Sequence, residues 1–118
     1  MTPEDYFGDE VESLRLFEAV AAAISEIGPA TVATSKSQVA FRRRRNFAWV
    51  WIPGKYLRRE AAPLVLTLGF TTRSDSPRWK EIVEPAPGRF THHLELYDAA
   101  GIDQAVRRWL QQAWDVAL

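Results

Sequence analysis

The apolar residues of this 118-residue chain change period twice, from helical to strand-like and back again, and few architectures accommodate that order. Over residues 9–27, Val11, Leu14, Phe17, Val20, Ala21 and Ile24 recur at three- and four-residue spacing, the mark of an amphipathic helix. Asp9 with Glu12 three residues on suits a capping pair at its start. Gly28-Pro29 predicts its end, because glycine tolerates a left-handed cap and proline cannot continue the ladder. From residue 30 the period falls to two. Strands are expected at 30–34, 38–43, 47–52 and 64–70, with Val39 and Phe41 sharing one face and Leu64, Leu66, Leu68 and Phe70 another. Arg44-Arg45-Asn46 is the expected turn between the second and third. The third carries Phe47, Trp49 and Trp51 on one side and Ala48, Val50 and Ile52 on the other, so it belongs at the centre of a sheet.

Residues 74–80 read as a capped helical turn with Pro77 early in it, held down by Trp79, Ile82 and Val83. Residues 91–97 form the last expected strand, Leu94 and Leu96 inward, His93, Glu95 and Tyr97 outward. Asp98 is the expected cap of a closing helix whose stripe is Ile102, Val106, Trp109, Leu110, Ala113 and Val116. The fold class that follows is α+β in two layers: an N-terminal helix, a mostly antiparallel sheet of about five strands, and a C-terminal helix on the same sheet face. With 47% apolar residues the chain has surface for one core, hence one domain over residues 1–118.

Charge is unevenly spread although it sums to 0. Residues 1–35 hold one base against seven acids, residues 36–89 twelve bases against four acids, and residues 90–118 two bases against four acids. A middle segment of +8 between acidic ends predicts a positive face able to attract anions at zero net charge. The chain has no cysteine, which removes disulfides, thiol nucleophiles and thiolate metal sites. No apolar run reaches the roughly 18–20 residues of a membrane span. The acidic first residues do not read as a secretory signal, so a cytoplasmic location without membrane contact is the expectation.

The densest chemical signal is Arg42-Arg43-Arg44-Arg45 at a hairpin, with Lys36, Lys55, Arg58 and Arg59 nearby in sequence. Guanidinium forks bind phosphates and carboxylates. Three readings stand beside one another: a solvated hairpin tip, an anion or nucleic-acid site, and ion pairs between sheet arginines and Glu18 or Glu26 of the first helix. Trp49 and Trp51 on one pleat face suit stacked bases of single-stranded nucleic acid, and equally a core or a homodimer interface. His92 and His93 point to opposite faces, so they do not share a metal, and neither histidine nor cysteine exists elsewhere to complete a zinc set. His92 is read as a hydrogen-bonded residue at the core margin, His93 as an exposed ligand contact or base beside Glu95. The serines of Ser35-Lys36-Ser37 and Ser74-Asp75-Ser76 read as turn residues, and no nucleophile elbow, phosphate loop or dinucleotide fingerprint is present.

A set of segments carries a resemblance over nearly the whole chain. They are Ile27-Gly28-Pro29, Thr34-Ser35-Lys36-Ser37-Gln38-Val39-Ala40-Phe41-Arg42, Phe47-Ala48-Trp49, Asp75-Ser76-Pro77-Arg78, His92-His93-Leu94-Glu95-Leu96, Asp103 and Trp109-Leu110. Together the chain resembles the bacterial domain of unknown function 5655. The resemblance implies a compact α+β domain without an established activity or cofactor. A more distant likeness is to YdhG-like domains, some of which resemble iron chaperones; that role calls for an acidic ridge, and the acids of the first helix are scattered. The polar positions within the matching segments are Lys36, Gln38, Arg42, Asp75, Arg78, His93 and Glu95. Lys36, Gln38 and Arg42 share strand parity, as do His93 and Glu95.

These five, Lys36, Gln38, Arg42, His93 and Glu95, are the expected ligand-binding set on the sheet face away from the helices. Asp75 and Arg78 are also read as a turn cap and its salt-bridge partner. The leading expectation is a small binding domain taking an anionic small molecule or an acidic protein surface. Nucleic acid and a homodimer burying the aromatic face are the alternatives, and an enzyme built on His93 and Glu95 is the weakest reading, since the sequence offers it no nucleophile.

Overall fold

A threonine, a proline and an aspartate at the N-terminus build an element too short for any periodicity to reveal. The computed structural model describes residues 1–55 and 61–118, and its first helix, α1, is only Pro3–Phe7. The Thr2 hydroxyl accepts the Asp5 amide at 3.1 Å while the Asp5 carboxylate accepts the Thr2 amide at 2.9 Å, a reciprocal cap that holds Asp5 below the usual carboxylate range. Gly8, at φ 53°, turns the chain out of the helix. Tyr6 and Phe7 are each 1% exposed. The Tyr6 hydroxyl accepts the Ile52 amide at 2.9 Å and donates to the Ser37 carbonyl at 3.2 Å, tying the N-terminus to the sheet.

Helix α2 spans Val11–Ile27. Glu10, not Asp9, stands at its N-cap, without a side-chain cap bond, so the expected Asp9–Glu12 pair does not form. Its buried stripe is Ser13, Leu16, Phe17, Val20, Ala23 and Ile24, while Val11 is 57% exposed. The expected stripe is therefore rotated. Apolar residues occupy most positions from 14 to 24, so spacing alone leaves the phase open and contact with the sheet selects it. Ser13 is accommodated because its hydroxyl donates to the Pro63 carbonyl at 2.6 Å.

Among the described residues the six strands are β1 Thr31–Thr34, β2 Val39–Arg42, β3 Asn46–Trp51, β4 Leu64–Phe70, β5 Glu81–Ala86 and β6 Arg89–Leu96. They form one antiparallel sheet in the order β1-β2-β3-β4-β6-β5, with β3 inside it as expected. The extra strand is β5, which runs through Pro85 and ends before the turn at Pro87-Gly88. Pro85 is tolerated because β5 is an edge strand whose pairing slips between Val83 and Ala86. Gly88 at φ 75° makes the β5–β6 turn, its amide donating to the Glu84 carboxylate at 3.1 Å. Residues 74–80 form a single turn at Pro77-Arg78 and no helix. The Ser74 and Ser76 hydroxyls instead accept the amides of Ser76 and Arg78, serine's usual competition with helix. Of the residues expected to hold this stretch down, Trp79 is buried, whereas Val83 is exposed on β5.

The closing helix, α3, is Gln104–Val116. Asp103 is its cap, accepting the Val106 amide at 3.1 Å; Asp98 caps a separate single turn, Ala99–Gly101, that intervenes. Val106, Leu110 and Ala113 are buried, with Ile102 before and Ala117 after them, while Val116 is exposed and Trp109 half-buried. Helices α2 and α3 cover one sheet face, contacting β3 and β4 and each other. There Leu64, Leu66, Leu68 and Phe70 meet Val39, Phe41, Ala48, Val50, Leu94 and Leu96. Each leucine, valine or phenylalanine among them contributes about 1.5–3 kcal/mol by leaving water.

Candidate functional site

The uncovered face is defined by register. Ala40, Trp49, Thr67, His93 and Glu81 pair in turn across β2, β3, β4, β6 and β5, and Trp51, Val65 and Glu95 form the next row. On this face Ser37, Gln38, Trp49, Trp51, Thr67, Thr91 and His93 line a concavity of about 370 Å³. Its floor is a hydrogen-bonded chain. The Trp51 indole N–H donates to the Thr67 hydroxyl oxygen at 3.2 Å, and that oxygen lies 2.7 Å from His93 Nδ1. Thr67 is 6% exposed. If Nδ1 carried the proton, the hydroxyl would receive two donors and its own hydrogen would be left without an acceptor among the bonds it makes. The donation from Thr67 to Nδ1 satisfies every group, and it leaves the imidazole N–H on Nε2. Burial lowers the His93 pKa, opposed by the Glu81 carboxylate across the β5–β6 pair. His93 is thus a neutral imidazole near pH 7, with the Trp51 ring edge-on at 6.3 Å.

The 2.7 Å spacing of Thr67 and His93 is also that of a hydroxyl with its general base. However, the hydroxyl lies at the floor and one of its lone pairs takes the Trp51 N–H. Both the Trp51 indole and the His93 imidazole therefore engage the Thr67 hydroxyl oxygen in hydrogen bonds.

Of the residues expected to form the site, Gln38 and His93 line this concavity. Lys36 is exposed in the β1–β2 turn beside Ser37, and neither it nor Gln38 is in a strand, since β2 begins at Val39. Arg42 lies at the far end of β2, opposite Thr31 and Asn46, and does not line it. Glu95 is drawn to Lys80 of the neighbouring segment, at 3.1 Å. Phe47, expected beside the two tryptophans, is sealed at 1% exposure and lines a separate cleft with Ala113 and Ala117 at the end of α3. Asp75 is not the partner of Arg78. The Arg78 guanidinium reaches both oxygens of Asp103, at 2.9 and 3.0 Å, and the Gly101 carbonyl at 3.3 Å, so it braces the start of α3. The Val106 amide, then Arg78, lower the Asp103 pKa.

The arginine hairpin turns at 43–45, one residue earlier than expected, because the β2–β3 pairing shifts register at Arg42. Its first task is structural. Arg43 donates to the Trp114 carbonyl at 3.1 Å and lies 3.5 Å over the Trp114 ring, and the Arg44 amide donates to the Ala117 carbonyl at 3.2 Å. A cation and two donors thereby meet the carbonyl end of α3. The expected pairing of Glu18 or Glu26 with a sheet arginine is not what forms: Glu26 meets Arg107 of α3 at 2.7 Å. Arg58 and Arg59 lie outside the described residues, as does the Lys55 side chain.

His92 faces the helices and is fully buried among Phe70, Trp79 and Phe90, more deeply than the core margin expected of it. Its Nε2 accepts the Ser74 amide at 3.0 Å, pinning the 71–80 segment over the core. Burial lowers its pKa, the Phe90 and Leu68 carbonyls opposing and the charges of Arg73 and His93 assisting. Thr67 is the site residue sequence reasoning missed. A lone hydroxyl within Leu64-Val65-Leu66-Thr67-Leu68 was the available signal.

Among the described residues no helix is long and apolar enough to cross a membrane. No curated protein and no solved structure matches the chain. A family model described as a domain of unknown function, DUF5655, matches residues 4–117, the same segments that carry the sheet, both covering helices and the open-face concavity. The chain therefore belongs to the DUF5655 family.

Proposed function

We propose that this protein is a small-ligand-binding domain whose site is the open-face concavity, and that its ligand is a planar ring bearing an acidic group. The carrying observation is the Trp51–Thr67–His93 chain, which holds a neutral imidazole in one orientation at the edge of two half-buried indoles. Buried hydrogen-bond chains of this kind position a donor without a rotamer search at the moment of binding. The Trp49 and Trp51 rings supply the apolar contact area, and the Gln38 amide and Ser37 hydroxyl add polar contacts at the rim. Lys36, in the same turn, supplies positive potential at the mouth. An acidic group against His93 favours the imidazolium over the neutral ring, so affinity rises as pH falls toward the lowered pKa of the free ring.

The test is a nuclear magnetic resonance titration with benzoate, indole-3-acetate and adenosine monophosphate, each at millimolar concentration. Shifts should concentrate on the Trp49 and Trp51 indole N–H groups and on Thr67 and His93, and Thr67→Val should weaken the response. Failure of all three to perturb those resonances removes the proposal. A parallel titration with single-stranded oligothymidylate separates it from the nucleic-acid alternative, which demands a steep salt dependence.

A further inference from the structure

A second cleft lies where β3 begins and β4 stops, beside the last turn of α3. It encloses about 320 Å³, at the lower end of ligand-sized pockets, and shares only the Trp49 and Thr91 walls with the open-face concavity. Phe47, Phe70 and Ala113 make its buried floor. Arg45, from the β2–β3 turn, and Arg89, from the first position of β6, stand at its rim. Among the described residues the lining contains these two cations and no carboxylate, and no acidic side chain lies within 4 Å of either guanidinium.

Gly69 points to the same conclusion. It sits inside β4, where glycine weakens a strand. Its φ is not positive, and a Cβ there would meet Trp49 no closer than 3.7 Å and the Phe47 carbonyl at 3.9 Å, both ordinary contacts. Neither backbone conformation nor close packing requires glycine at this position. What its missing side chain does is keep one wall of the cleft open.

From these observations we infer that the cleft is a binding site for an amphipathic carboxylate, the apolar part lying against Trp49, Phe90 and Val116 above the base that Phe47 and Phe70 close, and the carboxylate held between Arg45 and Arg89. A buried aromatic floor with cations only at the mouth rejects both a fully polar anion and an uncharged alkane. Guanidinium groups from two separate hairpins suit the two oxygens of one carboxylate.

The experiment is isothermal calorimetry on the whole chain with decanoate below its micellar concentration, and decan-1-ol and inorganic phosphate as controls. Decanoate should bind saturably, with decan-1-ol and phosphate at least about tenfold weaker. Arg45→Gln and Arg89→Gln should each weaken decanoate about fivefold, the upper range for an exposed ion pair. Gly69→Val, which fills the wall and favours the strand, should fold and lose binding. Thr67→Val should leave decanoate binding intact, which separates this cleft from the open-face concavity. Absence of saturable decanoate binding overturns the inference, and so does equal affinity for the alcohol, for the double arginine variant, or for a folded Gly69→Val.

Discussion

Replacing Gly28 by alanine puts a methyl group where the Trp114 indole now lies. A Cβ on Gly28 would collide with three carbons of that ring. The backbone there is extended, at φ 173°, a conformation any residue adopts, so steric exclusion by Trp114 is the whole reason for glycine, not the left-handed cap expected from the sequence. The ring is also held in place. Its Nε1 donates to the Pro29 carbonyl at 3.1 Å, and Arg43 lies over its face. Overpacking of this kind costs about 1–3 kcal/mol. Weakening the indole hydrogen bond costs about 1 kcal/mol, and displacing the ring from under Arg43 about 0.5–1 kcal/mol. Gly28→Ala should therefore destabilise the protein by about 3 kcal/mol, a fall in Tm of about 10 °C for a chain of this size. The diagnostic is a double-mutant cycle by urea unfolding. In a Trp114→Ala background the same substitution should be neutral or should stabilise by about 0.4–1 kcal/mol, because alanine narrows the unfolded ensemble. A Gly28→Ala penalty that is under about 0.5 kcal/mol, or that persists without the indole, refutes the reasoning.

Three further outcomes follow from the same contacts. Arg43→Ala should cost about 1–2 kcal/mol through the lost Trp114 carbonyl bond and ring contact, while Arg44→Ala stays within about 0.5 kcal/mol, both read from urea midpoints. Thr67→Val is nearly isosteric and should cost about 1 kcal/mol, the lost hydrogen bonds being partly offset by the better burial and strand preference of valine. Burial depresses both His92 and His93 below their ordinary value of 6.5, so the unfolded chain binds more protons below that pH. Stability should be complete above pH 6.5 and decline as pH falls beneath it, before the capped carboxylates of Asp5 and Asp103 titrate; a urea midpoint constant from pH 7.5 to 5 contradicts this.

The layers of the fold were legible because burial imposes period. Leu64, Leu66, Leu68 and Phe70 could face only one way, and the stripe of α3 had few competing phases. Where apolar residues crowd, as from Leu14 to Ile24, the helix was legible and its buried side was not. Helix α1 is too short for a stripe, and its only signal was Thr2, Pro3 and Asp5 at capping spacing. Strand β5 was hidden because Pro85 reads as a break until the strand is known to be an edge. Along the open-face concavity, the outward side of His93 was legible from strand parity, Gln38 reaches the lining from the β1–β2 turn and not from the strand expected to hold it, and Thr67 depended on a register that pairs it with both Trp49 and His93. The arginine run leaves a solvated tip, an anion site and ion pairs with the first helix open in the sequence, and none of the three offers Trp114, 71 residues away, as the partner of Arg43. Lys80, which draws Glu95 to itself, was equally invisible until β5 and β6 were paired.

The orientation of the His93 imidazole carries the proposed site, and a long-range proton–nitrogen spectrum at pH 7.5 reads it directly. The His93 ring should be neutral, protonated at Nε2 and hydrogen-bonded at an unprotonated Nδ1, with Thr67→Val shifting the Nδ1 resonance. A proton on Nδ1, or a ring that titrates like a free imidazole and ignores the loss of the Thr67 hydroxyl, contradicts the account.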